Sequence, residues 1–248
     1  MDNNKLKEKF NQDGYVFIPG FLSKMEVDLI RAKMEEFIAT RLSEMPSNHI
    51  FYEDKNDPSS LKQLQDLQKY DEFFADILTG GKFERIAEVL LDDRVIGRTL
   101  EYFNKPAKIG QPTPPHQDNF YFMLNPPNAV TMWMALEDVD QGNGCVRYIK
   151  GSHLQGMRPH SRTQTLGFSQ GITDYGEKEK ESDEIAFPAK PGDLLIHHSM
   201  TIHRADGNKS ETRTRKAMGL IYFSKSATED VDAKKAYQQV LNAERSDK

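Results

Sequence analysis

The chain has 248 residues, a formal net charge of -5, 37% hydrophobic and 29% charged residues, a balance that fits a folded globular protein and excludes a disordered one. The acidic balance argues against a nucleic-acid surface, which needs concentrated positive charge, and no apolar run reaches membrane-spanning length. The single cysteine, Cys145, excludes an internal disulfide and any cysteine-rich metal site, and reads as a small buried strand residue.

Residues 1–248 are expected to form one domain, and neither MDNNKLKEKF nor AERSDK reads as a leader, anchor or address, so a cytoplasmic location and small-molecule partners are expected. Asp13-Gly14 makes a turn, Tyr15 to Ile18 a strand, and Pro19-Gly20 ends it. Ser23 and Glu26 form a capping box, and Val27, Ile30, Met34, Phe37, Ile38 and Leu42 fall on one helical stripe. A second helical region is predicted from about Ser59 to Leu91, broken at Gly80-Gly81, with Leu61, Leu64, Leu67, Phe74, Ile77 and Leu78 on its apolar side. From Val95 the texture changes to short strands between turn residues: Val95 to Asn104, Phe120 to Leu124, Val130 to Leu136, Gly144 to Ile149, Ile185 to Pro188, Leu194 to His197, and Ala217 to Phe223. That spacing predicts a double-sheet barrel or jelly roll. The polar stretch from about Gln155 to Glu184 is too long for an idle connection and reads as a functional loop.

Within Pro114-Pro115-His116-Gln117-Asp118, an extended backbone points His116 and Asp118 to one face. A third ligand is available at His203, with His197 and His198 on the same segment as competitors. Two imidazoles and one carboxylate leave three open positions on an octahedral ion, which suits iron(II) with a chelating keto acid and dioxygen. Downstream, Arg215 can present a bidentate fork to a distal carboxylate, and Arg213 competes for that role.

The segments FNQDGYVFIPGFLS (10–23), PHQD (115–118), Trp133, NGCVRYIKGSH (143–153), PGDLLIHH (191–198) and HRADGN with RK (203–208, 215–216) resemble, in this order, the phytanoyl-CoA dioxygenase family of iron(II) and 2-oxoglutarate oxygenases. The resemblance implies a mainly β fold with flanking helices: a double-stranded β-helix (jelly-roll, cupin-like) core with N-terminal helices packed against it. It implies Fe(II) held by His116, Asp118 and His203, with 2-oxoglutarate as co-substrate and dioxygen as oxidant. His198 matches a histidine that is usually not a ligand. Arg215 matches the arginine at the far carboxylate, although Thr214 lengthens the connection by one residue and keeps Arg213 open. Lys62 matches a second co-substrate contact, and Gln117 and Trp133 match positions that line it. Ala205 stands where the family often has serine, which removes a hydrogen bond, and His153 matches a structural loop position. The carboxylate of Asp118 favours oxygen transfer over halogenation, so hydroxylation of an unactivated C–H bond is the expected outcome.

Family membership does not choose a substrate. Arg158, His160 and Arg162 could form an anion pocket for a carboxylate, phosphate or phosphonate or else a solvated basic loop, and the expected substrate is a small polar or anionic metabolite, with acyl-CoA among the family's substrates. The rival readings are a cupin-like metal-dependent isomerase or lyase, and a non-catalytic binding protein on the same fold.

Overall fold

The computed structural model describes residues 2–163, 170–177, 179 and 183–246. Helix α1 (Asn3–Asp13) opens the chain, capped by the Asp2 side chain and closed by Gly14 at φ 84°. Its apolar residues, Leu6 and Phe10, are too sparse to signal a helix in the sequence. Strand β1 (Tyr15–Ile18) and helix α2 (Lys24–Thr40) follow as expected, with both halves of the Ser23/Glu26 capping box formed.

The expected helix over residues 59–91 is corrected. Strand β2 (Ile50–Tyr52) is followed by β3 (Leu61–Leu64), and only α3 (Glu72–Leu78) and α4 (Lys82–Leu91) are α-helical. Leu61, Leu64 and Leu67 are spaced by three and imitate a helical face, but β3 finds backbone partners in β2 and in β4 (Val95–Lys105), and tertiary pairing overrides the local pattern.

The remaining elements in chain order are β5 (Thr113–His116), α5 (Asn119–Phe122), β6 (Leu124–Asn125), β7 (Ala129–Ala135), β8 (Val146–Ile149), β9 (His160–Arg162), β10 (Gln170–Ile172), β11 (Glu184–Phe187), β12 (Leu194–His198), β13 (His203–Ala205), β14 (Arg215–Ser224), β15 (Thr228–Glu229) and α6 (Val231–Ser246). The strand expected over Phe120 to Leu124 is instead a helical turn, because the Tyr121 and Phe122 amides donate back to the Asp118 carbonyl. In the expected functional loop, β9 and β10 pair as a hairpin, while residues 164–169, 178 and 180–182 lie outside the described residues. None of the described helices is long and apolar enough to cross a membrane.

Among the described residues, two antiparallel sheets make the jelly roll: a larger one in the order β1-β12-β7-β14-β4-β3-β2 and a smaller one in the order β11-β8-β13-β5. One face of the large sheet packs on the helices, joining Met132, Met134, Ile196, Met218 and Leu220 to Val27, Ile30, Met34, Phe37 and Phe74. Its other face meets the small sheet through Tyr15, Trp133, Leu195, Ala217, Val146 and Tyr148. Beyond this second, thinner core the sheets part around a cavity.

Turn residues hold the strand ends in place. In Pro191-Gly192-Asp193, Asp193 accepts from the backbone amides of Gly20 (2.8 Å) and Lys190 (2.7 Å). A Cβ on Gly192, at φ 92°, would fall 2.5 Å from the Leu22 carbonyl oxygen, so only glycine fits this approach. Asn208 donates to the carbonyls of Lys105 (2.8 Å) and Arg213 (2.7 Å), pinning the end of β4 to the start of β14.

Candidate metal centre and co-substrate cavity

One ligand atom each from His116, Asp118 and His203 lies within 4.8 Å of the others. His116 ends β5 and His203 begins β13, its direct cross-strand partner. Asp118 is not on the strand. Its backbone is helical (φ -61°, ψ -31°) at the entry to α5, so the turn, not an extended alternation, brings its carboxylate to the histidines. That corrects the same-face argument while keeping the convergence.

The imidazoles are pre-set for a cation. His116 Nδ1 donates to the Pro114 carbonyl (2.8 Å) and His203 Nδ1 to the Thr201 carbonyl (3.0 Å). Each Nε2 then presents its lone pair inward, lying 3.3 Å and 3.6 Å from Asp118 Oδ1. Burial opposes the charged form of Asp118, but its histidine neighbours, His203 foremost, outweigh it and hold the carboxyl well below its usual range. Burial, followed by the neighbouring His197 and His116, pushes His203 well below the usual imidazole value. An ionised carboxylate beside a neutral imidazole is what metal binding requires, and this donor set fits Fe(II).

The competing histidines separate cleanly. His198 faces Phe10 and His153, and its Nδ1 accepts from the Met200 amide (3.1 Å). His197 points into the cavity but meets Asp118 Oδ2 (3.0 Å) and the Tyr148 hydroxyl (2.9 Å). Thr131 Oγ1 donates to the same Asp118 oxygen at 2.5 Å. His197 and Thr131 therefore fix the carboxylate from behind. His153 donates from Nε2 to the Asn11 carbonyl (3.1 Å) and ties α1 to the barrel.

A cavity of about 230 Å³ opens from this cluster. At one end lie Arg215, Lys105 and Lys62, each at most 5% exposed. Arg215 sits over the Trp133 ring at 5.3 Å, and its Nε has no hydrogen-bond partner. Burial lowers its pKa to about 10, still high enough to keep the guanidinium charged at neutral pH. Lys62 is on a strand and pairs with Glu53 at 3.2 Å. Lys105, which no sequence motif marks, is driven well below the usual lysine range by burial and then by Arg215 and Lys62. Arg213 is outside the cavity, half-exposed and paired with Asp140 at 2.9 Å.

Gln117, expected to line the co-substrate, does not reach the cavity. Its amide donates to the carbonyls of Gly156 (3.0 Å) and Met200 (2.8 Å) and accepts from the Arg158 amide (2.8 Å), so it braces three segments behind the metal ligands. Of the three loop residues that could form an anion pocket, Arg158 and His160 are engaged elsewhere. Arg158 is committed to Asp174 (2.9 Å) and to Glu179, and His160 accepts from the Gln117 amide (3.1 Å) while stacking on Phe120. Ala205 lines the cavity and offers no side-chain hydrogen bond there.

A family model described as phytanoyl-CoA dioxygenase (PhyH) matches residues 10–217. The chain is similar to phytanoyl-CoA dioxygenase domain-containing protein 1 of Danio rerio, with 29% identity over 248 residues covering 82% of this chain and 84% of the relative. It is also similar to the peroxisomal phytanoyl-CoA dioxygenase of Mus musculus, with 26% identity over 264 residues covering 98% and 76%. Among solved structures, the non-heme alpha ketoglutarate dependent carbocyclase SnoK from nogalamycin biosynthesis superposes with a TM-score of 0.72 at 25% identity, covering 91% of this chain and 85% of that one.

Proposed function

Because the chain belongs to the phytanoyl-CoA dioxygenase family and is thus a 2-oxoglutarate-dependent oxygenase, we propose that it hydroxylates an unactivated C–H bond of a small polar metabolite at the cluster of His116, Asp118 and His203. The observation that carries this reading is the charge pattern of the cavity. A buried arginine without a carboxylate partner among the described residues, Arg215, lies in the same cavity as the His116, Asp118 and His203 cluster. An unpaired buried cation is costly unless an anion joins it, and a 2-oxoglutarate carboxylate supplies one.

In this reading His116 and His203 bind Fe(II) through Nε2, and Asp118 binds it through Oδ1. Arg215 takes the distal carboxylate of 2-oxoglutarate through its fork, with Trp133 as the plane beneath the guanidinium and Lys62 and Lys105 beside it. The bound iron supplies dioxygen activation coupled to oxidative decarboxylation of 2-oxoglutarate to succinate and carbon dioxide. The protein holds both reactants in one small cavity, which fixes their relative orientation. Among the described residues, Arg158 is committed to Asp174 and Glu179 and does not line the cavity.

The test is anaerobic addition of Fe(II) and 2-oxoglutarate, reading the weak visible metal-to-ligand charge-transfer band. The band is expected in the native chain and in His198→Ala, and lost in His203→Ala. No band in fully iron-loaded native protein would overturn the reading. Succinate release across a panel of small polar compounds then identifies the substrate.

A further inference from the structure

Glu101 lies on the inner face of β4, across from Gly219 of β14, which in turn faces Trp133 of β7. It lines the same cavity as the metal cluster and is 8% exposed. Its one hydrogen bond is from Gln63 Nε2 at 2.9 Å. The other atom of that amide, Gln63 Oε1, is buried without any partner, and Gln63 also lines the cavity.

Buried carboxylates are normally paired with a cation or neutralised. Among the described residues, Glu101 makes no ion pair, and its one side-chain partner is Gln63. None of the cavity's own described lysines or arginines pairs with it. Lys105 and Arg215 face each other four ladder positions away, which is about 13 Å along a strand. Lys62 is held by Glu53, and Arg204 by Glu184 and Asp206. The cavity thus has a cationic end that suits a dianionic co-substrate and, apart from it, a carboxylate beside a bare carbonyl oxygen. Both of these groups accept hydrogen bonds, and no protein donor fills the second.

We propose that Glu101 and Gln63 form the substrate-reading subsite, and that the substrate carries a protonated amine whose N–H groups are received by the Glu101 carboxylate and Gln63 Oε1. This rests on the oxygenase reading only for what happens to that substrate, since recognition of the amine is a property of the cavity wall. The carboxylate supplies charge complementarity, and the amide oxygen takes a second N–H in a fixed direction. A neutral alcohol of the same length would satisfy one acceptor and leave the buried charge uncompensated.

The test uses the anaerobic Fe(II)- and 2-oxoglutarate-loaded protein with three probes of equal length: n-butylammonium, 1-butanol and butanoate. Perturbation of the charge-transfer band gives the apparent affinity of each. n-Butylammonium is expected to bind at least about tenfold more tightly than the other two, as a charge-assisted hydrogen bond in a buried site allows. Glu101→Gln, nearly isosteric, is expected to abolish that preference while still forming the band. The proposal is overturned if the native protein shows no ammonium preference, or if the preference survives in Glu101→Gln. Should Glu101→Gln not fold, comparison with n-butyltrimethylammonium in the native protein decides, since equal binding of a cation without N–H groups would overturn the proposal. If the native protein forms no band, the oxygenase reading falls by itself. The same probe comparison by saturation-transfer NMR on the metal-free chain then decides the amine subsite independently.

Discussion

The Nε2 of His197 lies 3.0 Å from Oδ2 of Asp118, while its Nδ1 lies 2.9 Å from the Tyr148 hydroxyl. The ring is held at both ends where it orients the carboxylate of the candidate metal cluster without joining that cluster. Removing such a supporting contact changes metal affinity by roughly 10- to 100-fold. His197→Phe, which keeps a ring in place, is expected to weaken Fe(II) binding within that range, measured by anaerobic titration against a competing chelator. Unchanged affinity would mean that Thr131 alone fixes Asp118.

Arg215 and Arg213, two residues apart, differ in kind. Arg215 is buried with a free Nε, whereas Arg213 makes a half-exposed pair with Asp140. Truncating a buried cation that meets a ligand carboxylate costs about 2–5 kcal/mol, and exposed pairs contribute about 0–1 kcal/mol. Arg215→Met should raise the dissociation constant for 2-oxoglutarate by at least about 30-fold, and Arg213→Ala should leave it nearly unchanged. The reverse order in a direct binding titration would reassign the co-substrate site.

Glu101 makes stability depend on pH in a direction unusual for a carboxylate. Burial raises it from 4.5 to about 7, against the Gln63 hydrogen bond and with help from Asp66 and Asp118. The folded chain therefore holds this proton more tightly than the unfolded chain. Its contribution to stability is largest below about pH 4.5 and is lost as pH rises through about 7, amounting to about 3 kcal/mol. Urea unfolding of the metal-free protein should show Glu101→Gln gaining stability over the native chain by about that much at pH 8, with the gap closing toward pH 4.5. A gap independent of pH would place the group's titration elsewhere.

Lys62 and Glu53 form an ion pair in which both side chains are 6% exposed. Breaking such a pair from one side strands a buried charge at about 3–5 kcal/mol, whereas removing both charges costs far less. Lys62→Met and Glu53→Gln are each expected to lower the unfolding midpoint, and the double variant to recover most of the loss. If Lys62 also serves the co-substrate, 2-oxoglutarate affinity stays reduced in the double variant even after stability returns. Recovery of both together would limit Lys62 to a structural role.

The sequence shows the β-rich core because alternation and turn residues are local signals, and the order of the PHQD, PGDLLIHH and HRADGN segments marks the metal cluster. It misplaces Lys62, because Leu61, Leu64 and Leu67 imitate a helix until β4 is present to pair with β3. It misjudges the backbone at Asp118, because an H-x-D tripeptide does not reveal that the strand ends at His116. Glu101 and Lys105 pass unnoticed for one reason: on a strand, polar residues alternating with apolar ones read as a solvent face, and here that face lines an internal cavity. His197 draws notice only as a rival ligand. Its contact with Asp118 joins residues 79 apart in sequence, which no local spacing conveys.

The ligand-bearing strands β5 and β13 belong to the small sheet, whereas Glu101, Phe103 and Gln63 stand on β3 and β4 toward the far edge of the large one. On the proposed reading, the metal cluster and the amine subsite therefore lie on different sheets of one cavity, with the cations Arg215, Lys105 and Lys62 on the same sheet as the subsite. Such a division makes the protein evolvable: exchanges at Gln63, Glu101 and Phe103 can retune what is recognised while Lys62, Lys105 and the ladder that aligns His116 with His203 stay intact. Directed libraries aimed at new substrates would best be confined to those positions.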